Sequence, residues 1–140
     1  MHLLERYALS SSSKIDKPSV YEKYFPLGFS NYITLQISSK FNSKSYNHWD
    51  EVINILLPIL NNYSIKIIQI GGANERRLPE CYYTCGNTNL GQVAYLIKNS
   101  MLHLGVDSFG AHFAGYYNKP IVCLYSNNYA NCVYPYWGYK

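Results

Sequence analysis

The hydrophobic residues of this chain fall into two patterns, short continuous apolar runs and longer segments with apolar residues every third or fourth position. The runs at 32–37, 65–70, 101–106 and 121–125 read as strands buried on both faces, as in a parallel sheet. Between the first two, Trp49, Val52, Ile53, Leu56, Leu57 and Leu60 line one face of a helix. Asn47 is its expected cap, and Pro58 is expected to kink it or tighten its last turns. Residues 82–85 suit a short strand. Gly86-Asn87-Thr88-Asn89 is then a turn with a capping residue, and Leu90, Val93, Ala94 and Ile97 mark the next helix. Segment 101–125 closes the series as strand, tight turn, helix and strand. Asp107 and Ser108 are N-cap residue types, 109–117 is the helix, and Asn118 is its stop before Lys119-Pro120.

The first 26 residues lack a clean period. Residues 3–9 fit a helical turn or two, Ser10 to Ser13 form a flexible polar run, and Lys17-Pro18 and Phe25-Pro26 punctuate an extended segment. Residues 1–31 therefore read as a connector and 32–140 as one domain. Strands alternating with helices predict an α/β fold, a doubly wound Rossmann-like parallel sheet of about five strands.

Composition narrows the classes. With 48% hydrophobic and 14% charged residues the chain is a folded globular protein, long enough to bury a core. A net charge of +4, spread along the chain with Arg76-Arg77 the only adjacent arginines, fits an anionic small molecule better than a nucleic-acid groove. The longest apolar run, around 52–60, is too short to span a bilayer, and the N-terminus lacks a signal peptide's apolar core, so no transmembrane segment and a cytoplasmic location are expected. Cys81, Cys85, Cys123 and Cys132 show neither disulfide density nor CxxC spacing, and no metal is expected.

Chemistry concentrates where strands end. In a doubly wound sheet the loops after the strands share one rim, so Ser38–Lys44, Gly71–Glu75, Gly86–Asn89 and Asp107–His112 are expected to gather there. The helix after Asp107 is expected to present the backbone N–H groups of Ser108, Phe109, Gly110 and Ala111 to an anion, with phosphate the natural guest. Gly110 is expected to allow close backbone approach, and His112, one turn on from Ser108, to point into the same crevice. Neither GxGxxG nor GxxxxGK[ST] occurs, and without a G-x-S-x-G elbow a Ser108–His112 hydrolase is disfavoured.

The order of these motifs resembles the C-terminal, donor-binding half of the heptosyltransferase-like glycosyltransferases of family 9, which have the two-domain GT-B architecture. Ile37-Ser38-Ser39 through Lys44-Ser45-Tyr46 is similar to the family's Ser-containing loop and Lys-x-aromatic, and Ile70-Gly71-Gly72 with Glu75 to its strand–Gly-Gly–Glu segment. Gly86-Asn87-Thr88-Asn89-Leu90 resembles its Gly-x-Thr-x-Leu turn. Asp107-Ser108-Phe109-Gly110-Ala111-His112-Phe113-Ala114 with Lys119-Pro120 is similar to its Asp-Ser-Gly-x-x-His-x-Ala and Gly-Lys-Pro. Phe109 stands where the family usually has glycine, and Gln36 where it often has histidine.

The resemblance implies a nucleotide-sugar donor, with ADP-heptose as the family precedent, and a glycan or lipopolysaccharide-type acceptor. It implies Lys44 and Ser39 on the diphosphate, Glu75 on the ribose, Asp107 through His112 on phosphates and sugar, and Ser38 and Gly71 in the same donor site. No metal or other cofactor is implied. The family's acceptor-binding N-terminal domain, which carries the candidate catalytic carboxylate, has no counterpart in 140 residues. The chain is therefore expected to be part of a longer glycosyltransferase, completed in cis or in trans, or a stand-alone module that binds without catalysing.

Overall fold

A computed structural model describes residues 1–126 and 129–138 of the chain; the last two residues of the expected domain, 139 and 140, lie outside the described residues. Among the described residues five strands form one sheet in the order β3-β2-β1-β4-β5. They are β1 (Tyr32–Gln36), β2 (Lys66–Gln69), β3 (Tyr82–Tyr83), β4 (His103–Val106) and β5 (Ile121–Leu124), and every pairing is parallel. All of β1 and β4 is buried, as their apolar runs require of central strands covered on both faces.

Helix α2 (Trp49–Asn62) connects β1 to β2 and packs on one face, where Trp49 and Ile53 join Ile33, Leu35, Ile37, Leu104 and Val106. Helices α3 (Leu90–Asn99) and α4 (Phe109–Tyr116) cover the other face, where Val93, Leu96, Ile97 and Ala114 meet Tyr32, Ile68 and Ile70. The chain thus leaves β1 for β2 on one side and returns to add β4 on the other. β1 and β4 flank the topological switch point, the place where such sheets open a ligand crevice beyond their strand C-termini.

Local chemistry sets the helix ends. Asn89 caps α3 in a reciprocal box with Gln92. α2 begins one residue past the expected start: His48, not Asn47, is its N-cap residue and makes no side-chain capping bond, while Asp50 and Glu51 supply the negative charge its first turn favours. Pro58 sits inside α2, which continues past it to a closing turn of Tyr63 N–H to Leu60 C=O and Ser64 N–H to Asn61 C=O.

Helix α1 (Leu3–Ser11) takes in Ser10 and Ser11, so the run expected to be flexible is half helical and ends at Ser12 in the left-handed region. Its cap is a box in which the His2 ring accepts from Leu4 N–H and Glu5 accepts from His2 N–H. Residues 13–31 form neither helix nor strand, and part of the segment lies on the α3/α4 side. Phe25, Leu27 and Phe29 pack against its core, Lys23 N–H bonds Gly91 C=O, and Glu22 bonds Lys98 and Tyr117. A short helix α5 (Ala130–Val133), which the apolar pattern does not announce, follows β5.

Candidate functional site

The loops after the parallel strands converge on the switch-point rim as a series of contacts. Gly86 N–H bonds Gly71 C=O, Ser38 Oγ donates to Glu75 Oε1, Lys44 reaches Asp107, and Gln36 bridges to Ser108. A single 3-10 turn, Asn42–Lys44, lifts Lys44 over the β1–β4 gap. There its Nζ lies 2.7 Å from Asp107 Oδ2 and 3.3 Å from the Asp107 carbonyl oxygen. The Asp107 side chain is 6% exposed and that of Lys44 20%, so the pair is largely removed from water, where charge attraction is least screened.

Lys44, Asp107 and His112 line one cleft of about 400 Å³. Its remaining walls come from both ends of the described chain: His2, Leu3, Leu4 and Tyr7 from α1 and its cap, with Val133, Tyr136 and Trp137. His112 is exposed at the cleft. Desolvation holds its imidazole below the ordinary histidine range, the Asp107 carboxylate opposes that shift, and His2 and Lys44 reinforce it. Ser38 and Glu75 line a neighbouring cleft of about 460 Å³ with Tyr46, Trp49, Asp50 and Arg76. Gly71 carries a positive φ, and a Cβ there would lie 2.7 Å from Glu75 Cγ, so its bare Cα lets the Glu75 side chain turn toward Ser38.

The helix start differs from the expectation. Gly110 N–H donates to Gln36 Oε1 at 3.1 Å and Ala111 N–H to the Ser108 carbonyl at 3.2 Å, so two of the four amides expected to face an anion are satisfied internally. Those of Ser108 and Phe109 remain without a partner among the described residues. The physical reason is burial: Gly110 and Ala111 lie under the helix against the sheet, where an unpaired N–H would be costly. Gly110 likewise makes room for protein. A Cβ on it would stand 2.6 Å from His103 Cε1 and 2.7 Å from Gln36 Oε1. Phe109 turns its ring away from the rim, packing edge-on to Phe113 in the α3/α4 core.

Ser39 turns into its own loop, its hydroxyl accepting from Phe41 N–H at 3.2 Å. Ser108 bonds Gln36 and has no bond to His112 among the described residues, which leaves a Ser–His hydrolase without its geometry. Among those residues no group of three His, Cys, Asp or Glu could hold a metal ion. Cys81 and Cys85 are buried, and burial pushes their thiols up to about 11 and about 12.

Two polar residues beneath the rim were given no role from sequence, Gln36 being noted only as standing where the family often has histidine. Gln36, 2% exposed, ends β1 and reaches the start of α4, and His103, fully buried, bonds Thr34 Oγ1 through Nδ1 at 3.0 Å while its Nε2 has no partner among the described residues. Sequence reasoning also gave α1 no part in the cleft walls, for which the three-residue, capping-box spacing of His2 and Glu5 was the available signal.

No curated protein sequence matches the chain. Among solved structures it is similar to ADP-heptose LPS heptosyltransferase II of E. coli, at 19% identity and a TM-score of 0.63, over 95% of this chain and 40% of that one. It is similar to E. coli heptosyltransferase WaaC with ADP, at 19% identity and 0.64, over 95% and 46%. A third is the dodecameric iron-containing heptosyltransferase TibC of enterotoxigenic E. coli in complex with ADP-D-β-D-heptose, at 18% and 0.62, over 80% and 32%. The chain thus spans less than half the length of each, and at these identities the likeness concerns the fold, here part of a GT-B heptosyltransferase. In sequence, the family model described as glycosyltransferase family 9 (heptosyltransferase) matches residues 5–137, nearly the whole chain, which therefore belongs to that family.

Proposed function

We propose that this chain is the donor-binding part of a glycosyltransferase that takes a sugar from a nucleotide sugar, in the manner of ADP-heptose, to a glycan or lipopolysaccharide-type acceptor. The observation that carries the reading is the meeting of Lys44, Asp107 and His112 in one cleft at the switch point of a family 9 chain. In the absence of ligand Lys44 and Asp107 neutralise each other. A diphosphate draws the Lys44 ammonium as a charge-assisted contact, and the Asp107 carboxylate so released accepts from sugar hydroxyls, which are donors. The amides of Ser108 and Phe109 add the positive end of α4, and Glu75, already accepting from Ser38, offers a second carboxylate for ribose hydroxyls. Ligands named with the similar structures, ADP and ADP-heptose, suit this arrangement. The reading keeps the cytoplasmic location expected from sequence; among the described residues no helix is long and apolar enough to cross a membrane.

Titration calorimetry of the chain with ADP-, GDP- and UDP-linked sugars tests it. At least one is expected to bind, and Lys44→Ala to weaken that binding about tenfold or more, the range of a charge-assisted contact. Lys40, exposed in the same loop, is the control whose replacement by alanine leaves binding unchanged. No heat with any of the three at about millimolar ligand, or a larger loss from Lys40→Ala than from Lys44→Ala, overturns the assignment.

A further inference from the structure

We propose that Gln36 is a positioning residue for donor binding: it orients the Ser108 hydroxyl so that its proton faces the phosphate. The inference rests on the donor-binding reading and extends it to a buried side chain that touches no ligand. Gln36 ends β1 at the switch point, and two glycines make the space for it. A Cβ on Gly105, its partner on β4, would lie 2.7 Å from the Gln36 carbonyl oxygen, and one on Gly110 would lie 2.7 Å from Gln36 Oε1. At 2% exposure a side-chain amide must be hydrogen-bonded at both ends, and it is.

Its orientation is fixed by its partners. The Gly110 N–H is a donor only, so the amide atom 3.1 Å from it must be the oxygen. The other end, Nε2, then donates to Ser108 Oγ, also at 3.1 Å. The reverse amide would set N–H against N–H under α4. A serine hydroxyl has one proton and two lone pairs. With a lone pair engaged from below by Gln36, the O–H is turned away from the interior, and no acceptor for it stands among the described residues. Ser108 is half-buried, at the rim between Asp107 and the α4 amides. A phosphate oxygen, an acceptor only, is the complement of a hydroxyl held in this way. Gln36 thereby does two things through one amide: it removes Gly110 N–H from the anion site and commits Ser108 as a donor to it.

The competing account is that Gln36 only satisfies Gly110, and a double-mutant cycle read by calorimetry with ADP, GDP and UDP separates the two. Gln36→Leu is expected to weaken nucleotide diphosphate binding about tenfold in the wild-type background, and by less than about twofold when Ser108→Ala has already removed the hydroxyl. Equal factors in both backgrounds overturn the proposal. Should Gln36→Leu fail to fold, Gln36→Glu serves. It keeps an acceptor for Gly110 but places another opposite Ser108, turning the hydroxyl inward, and its added charge repels phosphate in both backgrounds and so cancels in the cycle. Unequal factors again support the proposal and equal ones overturn it. Absence of heat from the wild-type chain with all three nucleotides overturns the donor-binding reading and the inference with it, whereas wild-type binding with equal factors overturns the inference alone.

Discussion

Lys44 is paired before any ligand arrives, and this changes what its removal should do. As a solvated surface lysine it would leave stability untouched when replaced. Paired with an Asp107 side chain that is 6% exposed, it is the counter-charge of a nearly buried carboxylate. Lys44→Ala is therefore expected to destabilise the chain by about 1–3 kcal/mol in urea unfolding, the usual consequence of leaving a buried polar partner unsatisfied. In an Asp107→Asn background the same substitution should lose much less, and equal losses in both would show that the pair contributes nothing. His103 supplies a pH signature. Its ring is fully buried, and desolvation pushes its pKa down to about 4 from the ordinary value of 6.5. The folded state thus keeps His103 neutral where the unfolded state is protonated, so stability rises with pH through this window and is lost as pH falls from about 6.5 to about 4. Each unit of such a shift corresponds to about 1.4 kcal/mol. His103→Gln should flatten that part of the stability curve, with exposed His112, shifted in the same direction, contributing the smaller remainder. An unchanged slope would mean that His103 is already accessible to protons in the native state.

Among the elements, α2 holds a proline at its tenth position of fourteen, where the missing N–H leaves the Asn54 carbonyl without its helical donor. The substituted position is exposed, so Pro58→Ala disturbs no core contact and restores that bond. It should raise stability by about 1–3 kcal/mol, the helix-interior deficit of proline less the entropy it removes from the unfolded chain. A lower urea midpoint would show that the helix depends on the bend. The strands and α2 to α4 were legible because each carries its own period: a central parallel strand must be apolar on both faces, and a covering helix must be apolar on one. What the pattern hides is the polar residue inside such a run. Gln36, Gln69 and His103 are buried in strands, and their partners are supplied only by the folded chain. Gln36 Nε2 bonds a residue 72 positions away and His103 Nδ1 one 69 away, while Gln69 ties Leu78 N–H and Arg76 C=O in the next loop. The loop carboxylates and Lys44 could be placed on the rim from chain order alone, but which amide of α4 is spent on Gln36 depends on packing. α1 was legible as a helical turn or two over 3–9, but its cap was not, being a histidine, an unusual capping type whose ring is braced by a bond to the Tyr134 carbonyl at 2.8 Å.

For the whole molecule, the cleft at Lys44, Asp107 and His112 is walled by residues from both ends of the described chain, so the proposed donor site draws on the full length of the fold. The chain spans only 40% and 46% of two E. coli heptosyltransferase structures it resembles, and the proposed reading leaves acceptor binding to a further half. Transfer needs a base within hydrogen-bond reach of the acceptor hydroxyl as that oxygen attacks the donor's anomeric carbon. On the proposed reading Asp107 is engaged by Lys44 and then by the sugar, and His112 by phosphate and sugar, so the base is assigned to an acceptor-binding half. The isolated chain is therefore expected to bind nucleotide sugar without releasing nucleoside diphosphate, with a glycan acceptor present, in a phosphate-coupled release assay. Supplying the complementary family 9 half as a separate polypeptide should restore release if the chain works as one half of a transferase, and should leave it at zero if the chain is a binding module. Release by the chain alone would overturn this division of labour. It would direct attention to His112, whose desolvated imidazole is neutral at pH 7 and so competent to accept a proton, and His112→Ala would then abolish release while Ser108→Ala mainly weakened binding.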